Sequence, residues 1–486
     1  MHDCMKIEEL VQMIFAHLEL PIWGSNADST ALAALARTCT IFCSPALDLL
    51  WAKQETLVNL LRCMPTDLIE ITPPTAVSES KITLLRPIRA RDWKRPLFYA
   101  PRVKEFQYPF THIGHTSLFD IFPALSLSLP TECVFPNLTR LSWFPRNDAD
   151  FPNIYLFITG ALTSITIICT PSSCNLSVLA GLARKCRALK DVSIHILSPY
   201  APTLPSSVHS SLSEFVQELL VVQNLRIFIP DLSAFQHIGR LETLRTWEIP
   251  SLPLFLSSAP LIDLDLFRNL KHLIISMIDV EIAAIHFLQS ARASFELLTL
   301  TFCDFPMADT TSAFYSVLSQ CILSHSSLES MILIYPDPES DNNPIFSAFG
   351  FDLNDVTVAD MARAWPRLKT LDLLSVDRPA RQRVTLDGLR SLSRYCPLLQ
   401  SLEMTFDASV VPEMDPAVAP IGPQQLTWLF VGHSRILGPA AVAQFISSIF
   451  PSVTRIPVDT RGNEPEEIAR QARWKEVESQ LRAHTT

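Results

Sequence analysis

The chain has 486 residues and a net charge of -10 at neutral pH, which gives it no general attraction to nucleic acid or anionic membranes. No two of its 11 glycines stand two positions apart, so the glycine-rich phosphate-binding motifs of nucleotide enzymes are absent. The 11 cysteines include no C-x-x-C pair, which argues against a zinc site or a disulfide framework and predicts reduced thiols.

The hydropathy pattern predicts an intracellular protein. No apolar run reaches the roughly 18 residues that a membrane span needs, and the first residues lack the apolar core of a signal peptide. We therefore expect a protein of the cytoplasm or nucleus, with neither nucleic acid nor membrane as a partner.

Residues 1–63 have the pattern of a small helical domain. In the first stretch, apolar residues recur at the spacing of one helix face; they are Ile7, Leu10, Val11, Ile14, Phe15 and Leu18. A second helical stretch covers 32–39. In a third, over 44–51, Ser44 is placed to cap the helix, and Pro45 falls in the first turn, where a missing N–H has no cost. The three stretches predict a three-helix module.

Residues 64–110 connect this module to the rest of the chain. A proline-rich polar loop is followed by interleaved basic and aromatic residues; these are Arg86, Arg89, Arg91, Trp93, Lys94, Arg95, Phe98, Tyr99, Arg102 and Lys104. Such a pattern can bind single-stranded nucleic acid. The acidic chain favours the alternative, a docking helix in which Trp93, Phe98 and Val103 pack on the next element and the charges face solvent.

From about residue 135 a Leu-x-x-Leu-x-apolar pattern recurs, with helical stretches such as 384–395 and 438–449 between its copies. Clear copies begin at Phe135, Leu189, Leu270, Leu328, Leu368, Leu399, Leu426 and Val453, and weaker ones at Leu225 and Leu241. A strand turns alternate residues to one side, so each copy places its leucines on one face. One strand–helix unit is too small to bury them, so it must stack on its neighbours.

The repeats therefore predict an α/β fold over 111–462. We expect a curved solenoid with parallel strands on its concave side and helices on its convex side. An ordinary α/β domain with a parallel sheet is the alternative.

Three insertions interrupt the later repeats, at 336–354, 377–383 and 408–425. The first is acidic and the second basic, and their charged residues are candidate substrate contacts because loops on one edge of a repeat array commonly hold ligands; these candidates are Asp337, Glu339, Asp341, Arg378, Arg381 and Arg383. Tolerated insertions without a function are the alternative.

The last segment, 463–486, predicts a helix that begins near Pro465 and covers the final repeat with Trp474, Val477 and Leu481. A helix that binds a further partner is the alternative.

Catalytic and metal-binding patterns are missing from the sequence. His112 and His115 have no third metal ligand near them, and Asp263 with Asp265 fits a solvated strand edge better than an acid pair. No G-x-S-x-G or H-E-x-x-H motif occurs. We expect no catalytic residues, no metal and no cofactor, and a protein that is not an enzyme.

The first 51 residues resemble the F-box, the helical domain by which ubiquitin-ligase receptors bind a Skp-type adaptor. Ile7 and Glu8 stand where the family has Leu-Pro, while Ile14, Phe15 and Leu18 match the first helix directly. Further matches are Leu32, Leu35, Ala36, Arg37, Cys39, Leu50 and Trp51. The sequence of the second and third helices is similar to that of basidiomycete F-box proteins. Residues 135–460 resemble their irregular leucine-rich repeats.

This resemblance implies a substrate-recognition subunit of a Skp–cullin–F-box ubiquitin ligase. The adaptor would link the chain to a cullin, and the repeats would bind a protein substrate. The implied adaptor contacts are Ile7, Leu10, Val11, Ile14, Phe15, Leu18, Leu35, Leu50 and Trp51. The alternative is a ligase-independent leucine-rich-repeat scaffold, whose degenerate F-box only caps the repeats.

Overall fold

The chain forms two compact units, Met1–Gln223 and Asn224–Thr486. The computed structural model describes residues 8–16, 26–72, 80–108, 116–117, 121–145, 148–197, 206–257, 266–278, 281–290, 294–302, 325–334, 353–373, 383–413, 425–458 and 465–485.

The first unit contains eight α-helices, three 3-10 helices (Ala90–Trp93, Ala100–Arg102 and Asp148–Leu156) and eight strands within its described residues. The helices are α1 (Glu8–Ala16), α2 (Asn26–Leu35), α3 (Thr40–Ala52), α4 (Val58–Leu61), α5 (Pro96–Tyr99), α6 (Phe122–Ser128), α7 (Ser173–Lys185) and α8 (Ser206–Gln217). The strands are β1 (Lys53–Gln54), β2 (Ile69–Thr72), β3 (Ser80–Leu84), β4 (Glu105–Tyr108), β5 (Thr116–Ser117), β6 (Arg140–Trp143), β7 (Ser164–Cys169) and β8 (Asp191–Ile196).

The second unit contributes six α-helices, one 3-10 helix (Leu254–Ser257) and ten strands to the described part of the chain. Its helices are α9 (Leu232–Gly239), α10 (Glu281–Ser290), α11 (Asp355–Ala364), α12 (Leu386–Tyr395), α13 (Pro439–Ile449) and α14 (Pro465–Thr485). Its strands are β9 (Asn224–Arg226), β10 (Thr246–Ile249), β11 (His272–Ile278), β12 (Leu297–Phe302), β13 (Ser330–Ile334), β14 (Thr370–Leu373), β15 (Ser401–Met404), β16 (Asp407–Ala408), β17 (Trp428–Phe430) and β18 (Arg435–Ile436).

Parallel strands in sequence order build the main sheet of the first unit. Strands β1, β4, β6, β7 and β8 follow one another across it. Their register brings one apolar residue from each of four neighbouring strands into a row, and all four are buried: Phe106, Leu141, Ile165 and Val192. Strands β2, β3 and β5 form a separate small sheet.

The second unit repeats the same arrangement over more strands. Its parallel order is β9, β10, β11, β12, β13, β14, β15 and β17. The in-register row is buried at every strand: Leu225, Trp247, Leu273, Leu298, Met331, Leu371, Leu402 and Leu429. Because each row is continuous only when strands stack, the predicted α/β repeat fold is confirmed.

Side-chain caps start several of the helices that cover these strands. Ser172, Asp231, Asn354 and Thr385 each accept a hydrogen bond from a backbone N–H in the first turn of the helix that follows. In α12 the buried face is the leucine stripe that the periodicity predicts, formed by Leu386, Leu389 and Leu392. Helix α12 therefore covers the apolar face of the strand in its own repeat.

Strands β4, β7 and β12 have no counterpart among the sequence-predicted copies. Each has the same spacing, but valine or phenylalanine takes the first position at Val103 and Phe295, and isoleucine takes the second at Ile165. Strand β4 also lies inside the predicted connecting segment 64–110. Bulky apolar side chains of different shapes fill the row equally well, so leucine alone is too narrow a signal.

Four predicted copies need correction. The strand after Phe135 begins only at Arg140, and Leu141 lies in the buried row, so Leu138 and not Phe135 holds the first position of that copy. Leu225 lies in the buried row itself, and the strand after Leu241 begins only at Thr246, so that Leu244 is the first buried position. The copy that begins at Val453 forms a single parallel bridge, between Arg455 and Trp428, instead of a strand.

The third helix begins earlier than its cap signal predicts. It starts at Thr40 with Cys39 at its N-cap, so Ser44 is not the cap and Pro45 lies inside the helix. The extra turn carries Phe42, which packs edge-on against Phe15 with ring centroids 5.4 Å apart. The proline removes one helix hydrogen bond, and the contact of half-buried Phe42 with Phe15 is a favourable interaction of the same turn.

Candidate functional site

Helices α1 to α3 form the N-terminal helical module. One stripe of apolar residues on α1 is buried in it, and the adjacent stripe is exposed. Val11 and Phe15, four residues apart, are buried with Ala46 of α3. Leu35, Ala36, Phe42 and Leu49 pack against this cluster. The core of the module is therefore small and already filled.

The neighbouring stripe of α1 remains exposed. Met13 is 58% exposed and Ile14 is 46% exposed, and Leu10 is only partly buried. On α3, Ile41 is also exposed. A module that leaves two large apolar residues exposed and a third half-buried on one short helix has the character of a binding surface.

This division refines the predicted set of adaptor contacts. Ile14 is accessible, and Leu10, Leu35 and Leu50 are partly buried. Val11 and Phe15 are buried in the module's own core. Ile7 and Leu18 lie outside the described residues.

Trp51, another predicted adaptor contact, packs inside the first unit. It is buried, and its ring stacks on Tyr99 with centroids 4.5 Å apart and planes 18° apart. The connecting segment thus covers the end of α3 that the resemblance assigned to the adaptor. Trp51 joins the module to the segment that follows it within the first unit.

The guanidinium group of Arg102 also connects the connecting segment to α3. It donates to the Ser44 carbonyl oxygen at 3.3 Å, pairs with Asp48, and lies over the Phe98 ring at 5.2 Å. Phe98 itself is 58% exposed, which corrects the expectation that it packs inside the protein. Trp93 and Val103 are buried as predicted.

Some basic residues of the connecting segment form ion pairs within the protein. Arg86 donates to Asp67 at 2.8 Å and to the buried Asp92 at 2.7 Å. The hydrogen bond from Arg86, together with that from the backbone N–H of Arg89, lowers the pKa of Asp92 to about 2. Arg86 and Arg102 are thus both bound within the protein, as the docking alternative requires.

The predicted substrate contacts fall almost entirely on residues that the structure does not describe. Asp337, Glu339, Asp341, Arg378 and Arg381 lie outside the described ranges. Arg383 is exposed and forms a parallel bridge with Asn354 at the start of α11. These contacts stay predictions.

The structure also brings together two acids that the sequence pattern did not single out. Asp372 of β14 and Glu403 of β15 are register partners on the sheet face opposite the helices. Burial, and then the Asp372 carboxylate, raise the pKa of Glu403 to about 7. The alternation of Leu-Asp-Leu and Leu-Glu-Met in equivalent repeats was the signal that could have located this pair.

Chemistry-bearing clusters are otherwise scarce within the described ranges. No three potential metal ligands come together among the described residues. None of the described helices is both long enough and apolar enough to cross a membrane. The histidines His112 and His115 and the acids Asp263 and Asp265 lie outside those ranges.

Comparisons with known proteins give a distant similarity in structure. No protein-family model matches the chain, and no curated protein matches it in sequence. Among solved structures, the chain is similar to a leucine-rich-repeat protein of Leptospira interrogans. The two share 12% identity over 75% of this chain and 80% of that one, with a TM-score of 0.33. The strand register and the buried rows carry the repeat assignment on their own.

Proposed function

We propose that the chain is the substrate-recognition subunit of a Skp–cullin–F-box type ubiquitin ligase. The helical module binds a Skp-type adaptor and through it a cullin, while the repeats bind a protein substrate. The receptor performs no chemistry itself; it holds the substrate within reach of the ubiquitin-loading enzyme.

The exposed stripe of α1 is the observation that carries this proposal. Met13 and Ile14 face outward although Val11 and Phe15 of the same helix are enclosed. Uncovered apolar residues at the centre of a small patch are the type that dominates the energy of an interface. The F-box resemblance supplies the identity of the partner, since its first helix carries the matching Ile-Phe pair.

The test is co-purification of the full chain with a Skp-type adaptor. We expect the wild type to retain the adaptor, and the double substitution Met13→Glu with Ile14→Glu to weaken retention about 30-fold or more, because two charges would replace buried anchor contacts. Leu127→Glu on α6 is the matched control, since Leu127 is an exposed apolar residue of the same unit. Circular dichroism should show equal helix content in all three proteins.

Phe15→Ala gives a different result and serves as a contrast. Removing a core ring costs about 3–5 kcal/mol and opens the module, so adaptor retention should fall together with helix content. Wild-type protein that fails to retain the adaptor at micromolar concentration would favour the alternative, a ligase-independent repeat scaffold with a degenerate F-box.

A further inference from the structure

The connecting segment presents a group of exposed positive charges, named here the basic patch. Its members are Arg89, Arg91, Lys94 and Arg95. Among the residues between them, Ala90 is exposed, and Asp92 and Trp93 are buried. Because the 3-10 helix Ala90–Trp93 has about three residues per turn, Arg91 and Lys94 lie on one side of it. Burial of Trp93 therefore fixes the side on which these cations face solvent.

Nearby acids do not neutralise the basic patch. Asp92 accepts a hydrogen bond from Arg86 at 2.7 Å, and Asp67 accepts one from the same guanidinium group at 2.8 Å. Arg91 attracts the Asp92 carboxylate more weakly, through space. No cation of the patch forms an ion pair with a residue that the structure describes. The patch therefore lacks a close counter-charge, although the chain as a whole has a net charge of -10.

Another group of exposed cations in the same unit has a structural explanation. Arg184 and Lys185 stand in the last turn of α7, where the helix dipole favours positive charge. Arg184 also donates to the Ala180 carbonyl oxygen at 3.3 Å, and Arg187 follows the helix on the exposed surface. The basic patch lies on and beside a single 3-10 turn, where no long helix dipole accounts for its charge.

An exposed aromatic ring lies beside the basic patch. Phe98 of α5 follows Arg95 by three residues, which places the two side chains on the same side of this short helix. The Phe98 side chain is 58% exposed. The guanidinium group of Arg102 lies over the ring at 5.2 Å and is itself paired with Asp48. The ring is thus held in place and offers an apolar contact next to the positive charges.

The length of the basic patch suits a short acidic ligand. At about 2 Å per residue, the backbone from Arg89 to Arg95 extends about 12 Å. An extended peptide covers that distance with about four residues. A nucleic-acid strand carries a phosphate at every nucleotide, so it would continue past the patch over a chain whose net charge of -10 repels it. The dimensions and charge therefore favour a protein segment.

We propose that the basic patch is a docking site for a short acidic segment of the substrate protein, with consecutive aspartate or glutamate residues and one large apolar residue beside them. The carboxylates accept hydrogen bonds from the arginine and lysine side chains of the patch. The apolar side chain packs on the open part of the Phe98 ring. This inference rests on the proposed function, because it names a feature by which the receptor recognises its substrate.

The test measures binding of a labelled peptide to the full chain by fluorescence anisotropy. The probe alternates glutamate and aspartate and contains one leucine; its counterpart has glutamine and asparagine in place of the acids. We expect the acidic peptide to bind the wild type. The triple substitution Arg91→Gln, Lys94→Gln and Arg95→Gln should weaken its affinity about tenfold, because three charged contacts are lost. The neutral peptide should bind the wild type as weakly as the acidic peptide binds this variant.

The matched control removes the same three side-chain types elsewhere in the first unit. Arg184→Gln, Lys185→Gln and Arg187→Gln change the net charge equally at exposed positions. We expect this control to bind the acidic peptide within about twofold of the wild type. Equal weakening in both variants, or in neither, overturns the proposal. The patch variant should melt like the wild type, because its three side chains are exposed and form no ion pair among the described residues.

Two further measurements identify the ligand class. Phe98→Ala should weaken binding of the leucine-containing peptide about fivefold, and binding of a peptide with serine in place of the leucine by less than twofold. Equal loss for both peptides contradicts the apolar contact. A single-stranded oligothymidine of the same charge should bind the wild type more weakly than the acidic peptide does. Tighter binding of the oligothymidine overturns the proposal in favour of nucleic acid.

The outcome for the peptide is separate from adaptor binding. The patch variant should capture the Skp-type adaptor as the wild type does, because the proposed adaptor surface lies on α1. Loss of the adaptor in this variant overturns the assignment of the patch to the substrate. Adaptor capture without selective peptide binding rejects this site alone, and the reverse result rejects the ligase role alone.

Discussion

A single carboxylate ties two consecutive repeats of the second unit together. Asp355, at the start of α11, accepts hydrogen bonds from Thr385 N–H at 2.7 Å and Gly388 N–H at 3.0 Å, and its second oxygen accepts from Thr385 Oγ1 at 2.8 Å. Thr385 is the N-cap of α12 and Gly388 lies in its first turn, where backbone N–H groups lack the i−4 partners of a helix interior; Gly388 N–H donates to the Thr385 carbonyl oxygen at 3.1 Å as well. Asp355 therefore caps the helix of the next repeat.

We expect Asp355→Ala to destabilise this part of the unit by about 3 kcal/mol, because two backbone donors and a hydroxyl lose a charged acceptor. Hydrogen exchange of the Thr385 and Gly388 amides measures the effect locally and should become faster by two orders of magnitude or so. Asp360→Ala on the same helix is the control, since Asp360 forms an exposed pair with Arg363. Equal protection in the Asp355 variant and the control would show that the contact has no energetic weight.

For single residues, sequence periodicity predicts which apolar side chains share a helix face. It does not predict which part of that face is buried. Leu10, Val11, Ile14 and Phe15 belong to one broad apolar face of α1, and the predicted adaptor set includes all four. The structure separates them because α3 extends one turn further toward its N-terminus and Phe42 then fills the space beside Phe15. That extension overrides the local cap signal at Ser44, so no local rule could locate the core.

At the scale of elements, the leucine pattern predicts most strands of the second unit, and Pro465 with the apolar face at Trp474, Val477 and Leu481 predicts the helix that follows them. It misses β4, β7 and β12 because their apolar positions are filled by valine, isoleucine and phenylalanine. Helix α14 begins at Pro465 and buries Trp474, Val477 and Leu481, which confirms the predicted covering face. A pattern of burial therefore transfers between repeats more faithfully than a pattern of residue identity.

Trp474 is the main anchor of α14. It is fully buried, its Nε1 donates to the Ser434 carbonyl oxygen at 2.9 Å, and its ring meets Phe406 edge-on with centroids 5.7 Å apart. We expect Trp474→Ala to cost about 4 kcal/mol through the cavity it leaves, and Trp474→Phe to cost about 1 kcal/mol through the lost hydrogen bond.

Exchange of the Phe406 amide measures this change, because that N–H donates to Ser434 Oγ at 2.9 Å next to the tryptophan. Ile468→Ala, at an exposed position of α14, should leave the exchange rate close to that of the wild type. If Trp474→Ala and Ile468→Ala gave the same rate, α14 would not stabilise the repeat beneath it.

At the scale of the whole molecule, the chain is two repeat arrays in which stability passes between neighbours. Within the second unit, each strand from β9 to β17 pairs with the strand next to it in the order. Stability in such an array is the sum of small units and their interfaces, so loss at one end should weaken the nearest repeat most. The order of strands follows from the sequence; the strength of each interface does not, because it depends on side-chain fit.

Deletion of residues 465–486 tests this picture. The deletion removes the hydrogen bonds from Arg470 to the His433 carbonyl and from Arg473 to the Ile436 carbonyl, along with the Trp474 anchor. Hydrogen exchange should then accelerate most at β17, less at β15 and β14, and least at β9. A uniform acceleration from β9 to β17 would mean that the unit unfolds as one cooperative body, and the covering helix would then stabilise every repeat equally. The graded outcome is expected because each repeat in the register contacts only its immediate neighbours.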